Sequence, residues 1–377
     1  MSIAAVNTKN KQRSSNLELY RIICMLMIVA HHYVVNSGLI AIDGPLLSNP
    51  KDHNSLFLLL FGAWGKTGIN CFLMITGYFM CTSQITLRKF LKLLLQIYLY
   101  KFIIFFVFLL SGNETVSPTR ILELAMPFWS IKDDFVGCFI VFYLTIPFWN
   151  ILIKNMTKKQ HQLLLLLLLV CYTLLGTVPT FTVSFNYVTW FGIIYLIASY
   201  IRLYPSPLLA KRAVWGWLTV ISVFVSLVSI IFMVYYSSHN SVGTYHHFLT
   251  DSNKLLAVAV AICSFLWFKN HNMGYSRVIN RFGAATFGVL LIHTNSVAMR
   301  KWLWQDVVDC VGHYEMPLVQ LVLYSISVVL MIFLVCNLID QLRIATFEKW
   351  FFRWYDRKLS AKADALVNRI TSDKNEQ

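Results

Sequence analysis

The sequence predicts an all-helical protein that crosses a membrane about ten times, with both termini in the cytoplasm. Hydrophobic residues make up 57% of the 377 residues and charged residues only 13%, about half the roughly 25% that soluble domains carry. Ten apolar runs are long enough to cross a bilayer, although the run at 254–269 is marginal. The net charge of +15 lies on no soluble domain, so we do not expect a nucleic-acid partner.

The distribution of basic residues supports this topology. The predicted spans cover about 17–39, 55–80, 88–110, 134–153, 162–179, 187–204, 214–236, 254–269, 281–299 and 316–340. With the N-terminus inside, 24 of the 32 Lys and Arg residues fall in inner segments and six in outer loops, as the positive-inside rule expects. No pair of broken spans stands at matching positions in two halves, which is the usual sign of transporter repeats.

The chain divides into three predicted parts. These are a cytoplasmic N-terminal segment (1–15), a membrane domain (16–343) and a cytoplasmic basic tail (344–377). The beginning of the tail mixes Trp, Phe and Tyr with Lys and Arg, which is typical of an amphipathic helix lying on the inner leaflet. We expect no cleavable signal. The eight cysteines are single, so we expect no disulfide framework.

The first span carries four ionisable residues, and such residues at membrane depth favour a function. Arg21 and His32 are eleven residues apart, which is about 20° past three full helical turns, so they share one face roughly 16 Å apart. Glu18 lies one turn before Arg21 on the same face, while His31 points about 100° away from His32. Alternatively, Arg21 anchors the helix at the headgroups and the histidines cap a neighbouring helix.

The second and third spans also contain polar residues. Lys66 and Asn70 are four residues apart and share one face, and we expect Lys66 to face a polar cavity, since it lies too deep to reach the surface easily. Glycines at 62, 65, 68 and 77 predict close approach of another backbone, or simply tight packing. The third span begins with three cationic side chains, Arg88, Lys89 and Lys92. They could bind phosphate groups or simply be the basic residues that usually flank a span on its inner side. Lys101 lies deeper and needs a partner or water.

The ninth span repeats the spacing of the first. His293 follows Arg281 by twelve residues, so we expect His293 and His32 to reach similar depths. The alternative for His293 is a lone buried histidine bonded to a backbone carbonyl. The histidines of the 237–248 loop have no standard zinc spacing, and we predict no metal site.

Three patterns in these spans resemble the signatures of the acyltransferase-3 family, the integral-membrane O-acyltransferases of bacterial surface polysaccharides. The first signature is an arginine followed after ten residues by a histidine, as in Arg21 and His32. The second resembles GINCFLMITGY at 68–78, and the third resembles GVLLIH at 288–293, without its tyrosine. The resemblance covers roughly residues 15–340. It departs on the third helix, where Leu93 and Gln96 stand in place of an Arg-x-x-Arg motif.

The resemblance implies an enzyme of the bacterial inner membrane that transfers an acyl group, usually acetyl, from cytoplasmic acyl-CoA to a glycan on the outer side, often lipid-linked. It implies no permanently bound cofactor, and His32 as general base or transient acyl carrier. Glu18 would orient Arg21, and His293 or Asn70 would steady an oxyanion. Donor contacts would come from Arg21, Arg88, Lys92 and Lys101, and acceptor contacts from His31, Lys66 and Asn70.

No extracellular esterase-like domain follows the last span, so we expect transfer by this chain alone or with a separate partner. The main alternative is a transporter or flippase for a lipid-linked sugar or small solute, because buried charges and ten spans suit that class equally. A receptor or structural protein would explain neither the Arg21–His32 face nor the matched depth of His293.

Overall fold

A computed structural model describes residues 13–126, 128 and 134–359 of the chain. Within these residues the protein is helical and contains no strand. The predictions for residues 1–12 and for the tail beyond residue 359 lie outside the described residues.

The main helices follow the apolar runs of the sequence. They are α1 (Ser15–Val35), α2 (His53–Met80), α3 (Leu87–Leu110), α4 (Phe135–Asn155), α5 (Lys158–Thr177), α6 (Tyr187–Leu203), α7 (Arg212–Tyr236), α8 (Leu255–Lys269), α9 (Arg277–His293), α10 (Val297–Val307) and α11 (Leu318–Lys358). Short helices in the connections are Pro45–Ser48, Pro118–Ala125, Pro207–Ala210 and Val242–Tyr245.

These helices match the ten predicted spans in order. Seven helices of the described chain are long and apolar enough to cross a membrane, and α9 with α10 forms a bent pair that counts as at most one more. The remaining two, α6 and α8, are apolar but shorter, at 17 and 15 residues. The predicted all-helical, multi-pass architecture is therefore confirmed. We call the face where α1 begins the inner face and the face where α1 ends the outer face, following the predicted topology.

The prediction of a straight ninth span at 281–299 is wrong. The helix begins at Arg277, is interrupted at Ala285 and ends at His293, and α10 then leaves it at an angle of 98°. Side chains in the bend explain it: the Thr294 hydroxyl donates to the Leu290 carbonyl at 2.7 Å, and the Ser296 hydroxyl accepts from the Met299 amide at 3.0 Å. The first contact closes α9 and the second caps the start of α10.

The last helix is longer than predicted. We expected a separate amphipathic helix after residue 343, but α11 runs through a π-helical turn at Ile344–Glu348 and continues to Lys358. Neither glycine nor proline interrupts this stretch, so nothing in the sequence stops the helix. Its 41 residues span about 60 Å, twice the roughly 30 Å of a bilayer core. The inner end of α11 therefore extends beyond the apolar region.

Helix α1 lies at the centre and contacts α2, α8, α9 and α11. Gly62, Gly65 and Gly68 of α2 face it, and a methyl group at these positions would meet Val34, His31 and Ile28 respectively. The expected close approach at these glycines is confirmed, and it sets α2 tightly against the half of α1 that carries the two histidines.

Candidate active site

A cavity of about 540 Å3 lies at the outer half of the bundle. Its inner end is apolar, lined by Met25, Ile28, Phe72 and Ile97, whereas its outer part is polar. The polar and charged lining residues include His31, His32, Lys66, Lys101, Arg120, Glu123, Asp134, Tyr187, Thr294, Asn295, Ser296 and Arg300. Helices α1, α2, α3, α9 and α10 all contribute to the wall, so the bundle encloses a site of the size that small-molecule ligands occupy.

Two histidines meet at this cavity. His32 stands in the last turn of α1 and His293 is the last residue of α9, and His32 Nδ1 lies 2.9 Å from His293 Nε2. His32 lines the cavity, whereas His293 is fully buried behind it. The expected agreement in depth is confirmed, and the two residues, 261 positions apart in sequence, form one hydrogen-bonded pair.

The hydrogen bonds of this pair fix where its protons lie. His293 Nδ1 lies 2.6 Å from the Val289 carbonyl oxygen, which can only accept, so this nitrogen carries the proton. In a neutral ring Nε2 of His293 then has the lone pair and accepts from Nδ1–H of His32. The remaining nitrogen, Nε2 of His32, is unprotonated and makes no hydrogen bond to a described residue. The pair thus presents a basic nitrogen at the cavity wall.

This arrangement corrects the predicted role of His293. Its two ring nitrogens are occupied by Val289 and His32, and neither remains to donate to an oxyanion. The geometry gives His293 a positioning role instead, in which it sets the tautomer and ring orientation of His32. The alternative of a lone histidine bonded to a backbone carbonyl is correct about the carbonyl contact, but His293 is not alone because it also bonds to His32.

His31 also lines the cavity but is held differently. Its Nδ1 lies 2.6 Å from the Gly62 carbonyl, and its ring packs directly on Gly65, where any added Cβ would overlap it. The ring of His31 is 5.6 Å from that of His32, centroid to centroid. His31 therefore faces the same space as His32 without bonding to it.

Lys66 and Asn70 separate in the structure. Lys66 lines the cavity as expected, with its ammonium group donating to the Tyr187 hydroxyl and lying 3.8 Å from an Asp251 carboxylate oxygen. Asn70 is fully buried outside the cavity, where its amide donates to the Ser252 carbonyl at 2.7 Å and accepts from Trp190 at 2.8 Å. The predicted substrate contact and oxyanion role of Asn70 are wrong, because the protein itself uses both of its polar atoms.

Arg21 and Glu18 lie at the inner end of the α1 face that carries His32. Arg21 Nε lies 3.5 Å from Glu18 Oε2, and Arg13 approaches the other carboxylate oxygen of Glu18 at 3.3 Å. Arg21 does not line the cavity, which ends at Phe72, and its guanidinium carbon lies 5.4 Å from the centroid of that ring. Arg21 and His32 therefore share a face of α1 but do not line one continuous cavity in this structure.

Four buried polar atoms at this inner end make no hydrogen bond to a described residue. They are Glu18 Oε2, Arg21 Nε and both side-chain polar atoms of Asn280. Asn280 lies one turn before Gly283, whose Cα packs against Glu18. Buried polar groups are nearly always paired, so this cluster has capacity for a polar ligand.

The remaining predicted cations lie in two places. Arg88 forms a double hydrogen bond to Asp356, and Lys92 pairs with Glu348, so both contact the end of α11 and neither lines the cavity. Lys101 does line the cavity, but at its outer part, because it lies fourteen residues into α3, about 21 Å along the axis. Lys101 therefore lies far from the inner face, and its donor contact stays a prediction.

Several site residues were missed by sequence reasoning. Arg120, Asp134 and Arg300 all line the outer part of the cavity. No sequence pattern marks Arg300, because a 98° bend separates α9 from α10 and breaks the helical repeat between it and His293. Asn280 carries no signal either, since a polar residue beside Arg281 looks like a solvated helix end.

A comparison with protein families decides what the chain is. The profile of the family described as acyltransferase domain, acyltransferase 3, matches residues 14–337, which includes every helix around the cavity. The chain belongs to the acyltransferase-3 family. Comparison with curated proteins and with solved structures gives no match. The expected resemblance is confirmed, and this acyltransferase is a multi-pass membrane protein.

In this acyltransferase a buried hydrogen-bond network lies at the third-helix position where the family has an Arg-x-x-Arg motif. Gln96 donates to the fully buried Asp340 at 3.1 Å, and Tyr100 donates to the same carboxylate oxygen at 2.8 Å. Arg343 of α11 supplies the guanidinium, with its Nε at 2.6 Å from Asp340. A buried carboxylate needs such complete pairing. The network therefore fixes α3 against α11, and its cation comes from α11 rather than from α3.

Proposed function

We propose that this acyltransferase moves an acyl group, most simply acetyl, from acyl-CoA in the cytoplasm to a hydroxyl group of a lipid-linked or cell-surface polysaccharide outside a bacterial inner membrane. The observation that carries the proposal is the His32–His293 pair, since its hydrogen bonds leave a basic nitrogen at the wall of a cavity large enough for a sugar.

His32 is the general base of this proposal. Its Nε2 takes the proton of the acceptor hydroxyl as that oxygen attacks the thioester carbonyl. The tetrahedral intermediate then loses the carbon–sulfur bond, and His32 returns the proton to the leaving thiolate. The products are an O-acylated glycan and free CoA, and the pair returns to its starting protonation. The same nitrogen could carry the acyl group transiently; a trapped acyl-His32 would distinguish that route.

The donor head is assigned to the cluster around Arg21. This cluster holds the guanidinium of Arg21, ion-paired with Glu18, and the two side-chain polar atoms of Asn280, which make no hydrogen bond to a described residue. Coenzyme A brings phosphates and amide groups that could pair with them. Among the predicted donor contacts only Arg21 belongs to it, because Asp356 and Glu348 already hold Arg88 and Lys92. The pantetheine arm then has about 16 Å to cover to His32, and Phe72 must move to let it pass.

The test compares His32→Ala and Arg21→Ala with His239→Ala and Arg212→Ala, two exposed residues outside the cavity. Each variant is expressed in a strain lacking the chain, its membrane insertion is checked, and surface glycans are analysed by mass spectrometry. We expect loss of O-acyl groups with His32→Ala and a lower degree of O-acylation with Arg21→Ala, with the control variants unaffected.

The same experiment separates the transporter alternative. A transporter defect would reduce the amount of surface glycan, whereas a transferase defect leaves the amount unchanged and removes its acyl groups. Normal acylation in both test variants would refute the proposed roles of His32 and Arg21.

A further inference from the structure

Four cationic side chains and two carboxylates, those of Glu123 and Asp134, line the outer part of the cavity. Lys66, Lys101, Arg120 and Arg300 all line it. Two of these are neutralised by the protein: Lys66 lies near Asp251, and Arg120 pairs with Glu114 at 3.0 Å and with Glu123 at 2.9 Å. The other two, Lys101 and Arg300, form no ion pair with a described residue.

Lys101 is bonded only to uncharged oxygen among the described residues. Its ammonium group donates to the backbone carbonyls of Glu123 at 3.0 Å and Met126 at 3.5 Å. Carbonyl groups satisfy its hydrogens without cancelling its charge. Lys101 therefore brings a net positive charge to the α3 side of the cavity.

Arg300 stands on the α10 side of the same cavity and is partly buried. Its guanidinium makes neither a hydrogen bond nor an ion pair with any residue that the structure describes. Asp134 attracts both cations at longer range and Glu123 attracts Lys101, but neither cation forms an ion pair with a carboxylate of the described residues. A guanidinium at membrane depth without such pairing is costly unless an anion joins it.

We propose that Lys101 and Arg300 bind an anionic group of the acceptor, a phosphate or a carboxylate, beside the hydroxyl that His32 deprotonates. This inference rests on the proposed function and names the class of acceptor: a negatively charged glycan or glycolipid. The proposed function places the donor phosphates near Arg21, at the opposite end from these two cations, so the acceptor supplies the anion. A guanidinium and an ammonium that line one cavity both offer charged donors to an oxyanion group.

The experiment uses the purified full chain in nanodiscs, with acetyl-CoA as donor and unacylated glycan from cells lacking the chain as acceptor. The variants are Arg300→Gln and Lys101→Gln, each measured on its own. Lys301→Gln is the matched control, since Lys301 is exposed, adjacent in sequence and outside the cavity. We expect the acceptor KM to rise about 10- to 100-fold in the test variants, as for the loss of a charge-assisted hydrogen bond, with the KM for acetyl-CoA and the control variant at wild-type values.

Chemical treatment of the acceptor identifies the anion. One sample has its carboxyl groups reduced to alcohols, and another has its phosphate linkage removed by mild acid. On the acceptor that has lost the recognised group, the KM ratio between Arg300→Gln and wild type should fall to about one. Which treatment has this effect tells whether a carboxylate or a phosphate is bound.

Two results would overturn the inference. The first is an acceptor KM for Arg300→Gln and Lys101→Gln equal to that of Lys301→Gln. The second is a KM ratio that stays the same on both treated acceptors, which would show that the variants act through packing rather than charge. Failure of the proposed function looks different, because His32→Ala would then transfer acetyl at the wild-type rate.

Discussion

The pairing of His32 with His293 leads to a sharp prediction about one hydrogen bond. His293→Leu removes the acceptor of the His32 Nδ1–H while keeping a buried side chain of similar size. His293→Gln keeps an amide oxygen near the position of the original Nε2. Leaving a buried donor unpaired costs about 1–3 kcal/mol, which at 1.36 kcal/mol per factor of ten corresponds to roughly 5- to 150-fold in rate.

We therefore expect the kcat of acyl transfer to fall about 5- to 150-fold in His293→Leu and by less than about 5-fold in His293→Gln. The KM for acetyl-CoA should not change in either variant, because His293 is buried and lies away from the Arg21 cluster. The assay follows release of free CoA thiol by purified enzyme with saturating glycan. His32→Ala gives the baseline for full loss of the base, about 100- to 10,000-fold.

Two outcomes would refute this reasoning. Equal losses in the leucine and glutamine variants would mean that His293 acts by shape and not by accepting a hydrogen bond. Wild-type turnover in His293→Leu would mean that the tautomer of His32 does not depend on its neighbour. The pH profile adds a further check, since the leucine variant should lose activity through kcat across the whole pH range in which the enzyme is folded.

Three further predictions concern the surroundings of the site. Gly65→Ala should abolish turnover or folding because its Cβ would overlap His31. Gly274→Ala is the control and should match wild type, because Gly274 lies in open space. Equal thermal unfolding midpoints and activities in the two variants would contradict this. Phe72→Ala should lower the KM for acetyl-CoA and Phe72→Trp should raise it, if this ring closes the inner end of the cavity; unchanged KM values in both would show that the donor enters elsewhere. Burial lowers the pKa of His246, in the 237–254 loop, to about 4, so the unfolded state binds a proton at this residue more readily than the folded state. The free energy of unfolding should therefore decline by up to about 3 kcal/mol as the pH falls from 6.5 towards 4. His246→Gln should make the unfolding midpoint less dependent on pH.

The sequence alone determined the order of the apolar helical segments, apart from the bend in the ninth, and the residues that carry charge into the bundle. Apolar length and the positions of Lys and Arg are local properties, and in a bilayer a helix must satisfy its own backbone. The shared face of Arg21 and His32 follows from helical periodicity, the cavity position of Lys66 from its depth, and the close approach at Gly65 from its lack of a side chain.

The tertiary structure decided what those residues contact. His293 proved to be the partner of His32, and Asn70 proved to be held by Trp190 and a distant loop. These contacts join residues more than 100 positions apart, and no local pattern encodes them. The bend between α9 and α10, which brings Arg300 to the cavity, likewise depends on which capping bonds form in the folded chain. Periodicity tells which way a side chain points along its own helix, but only the packing of helices tells what stands opposite it.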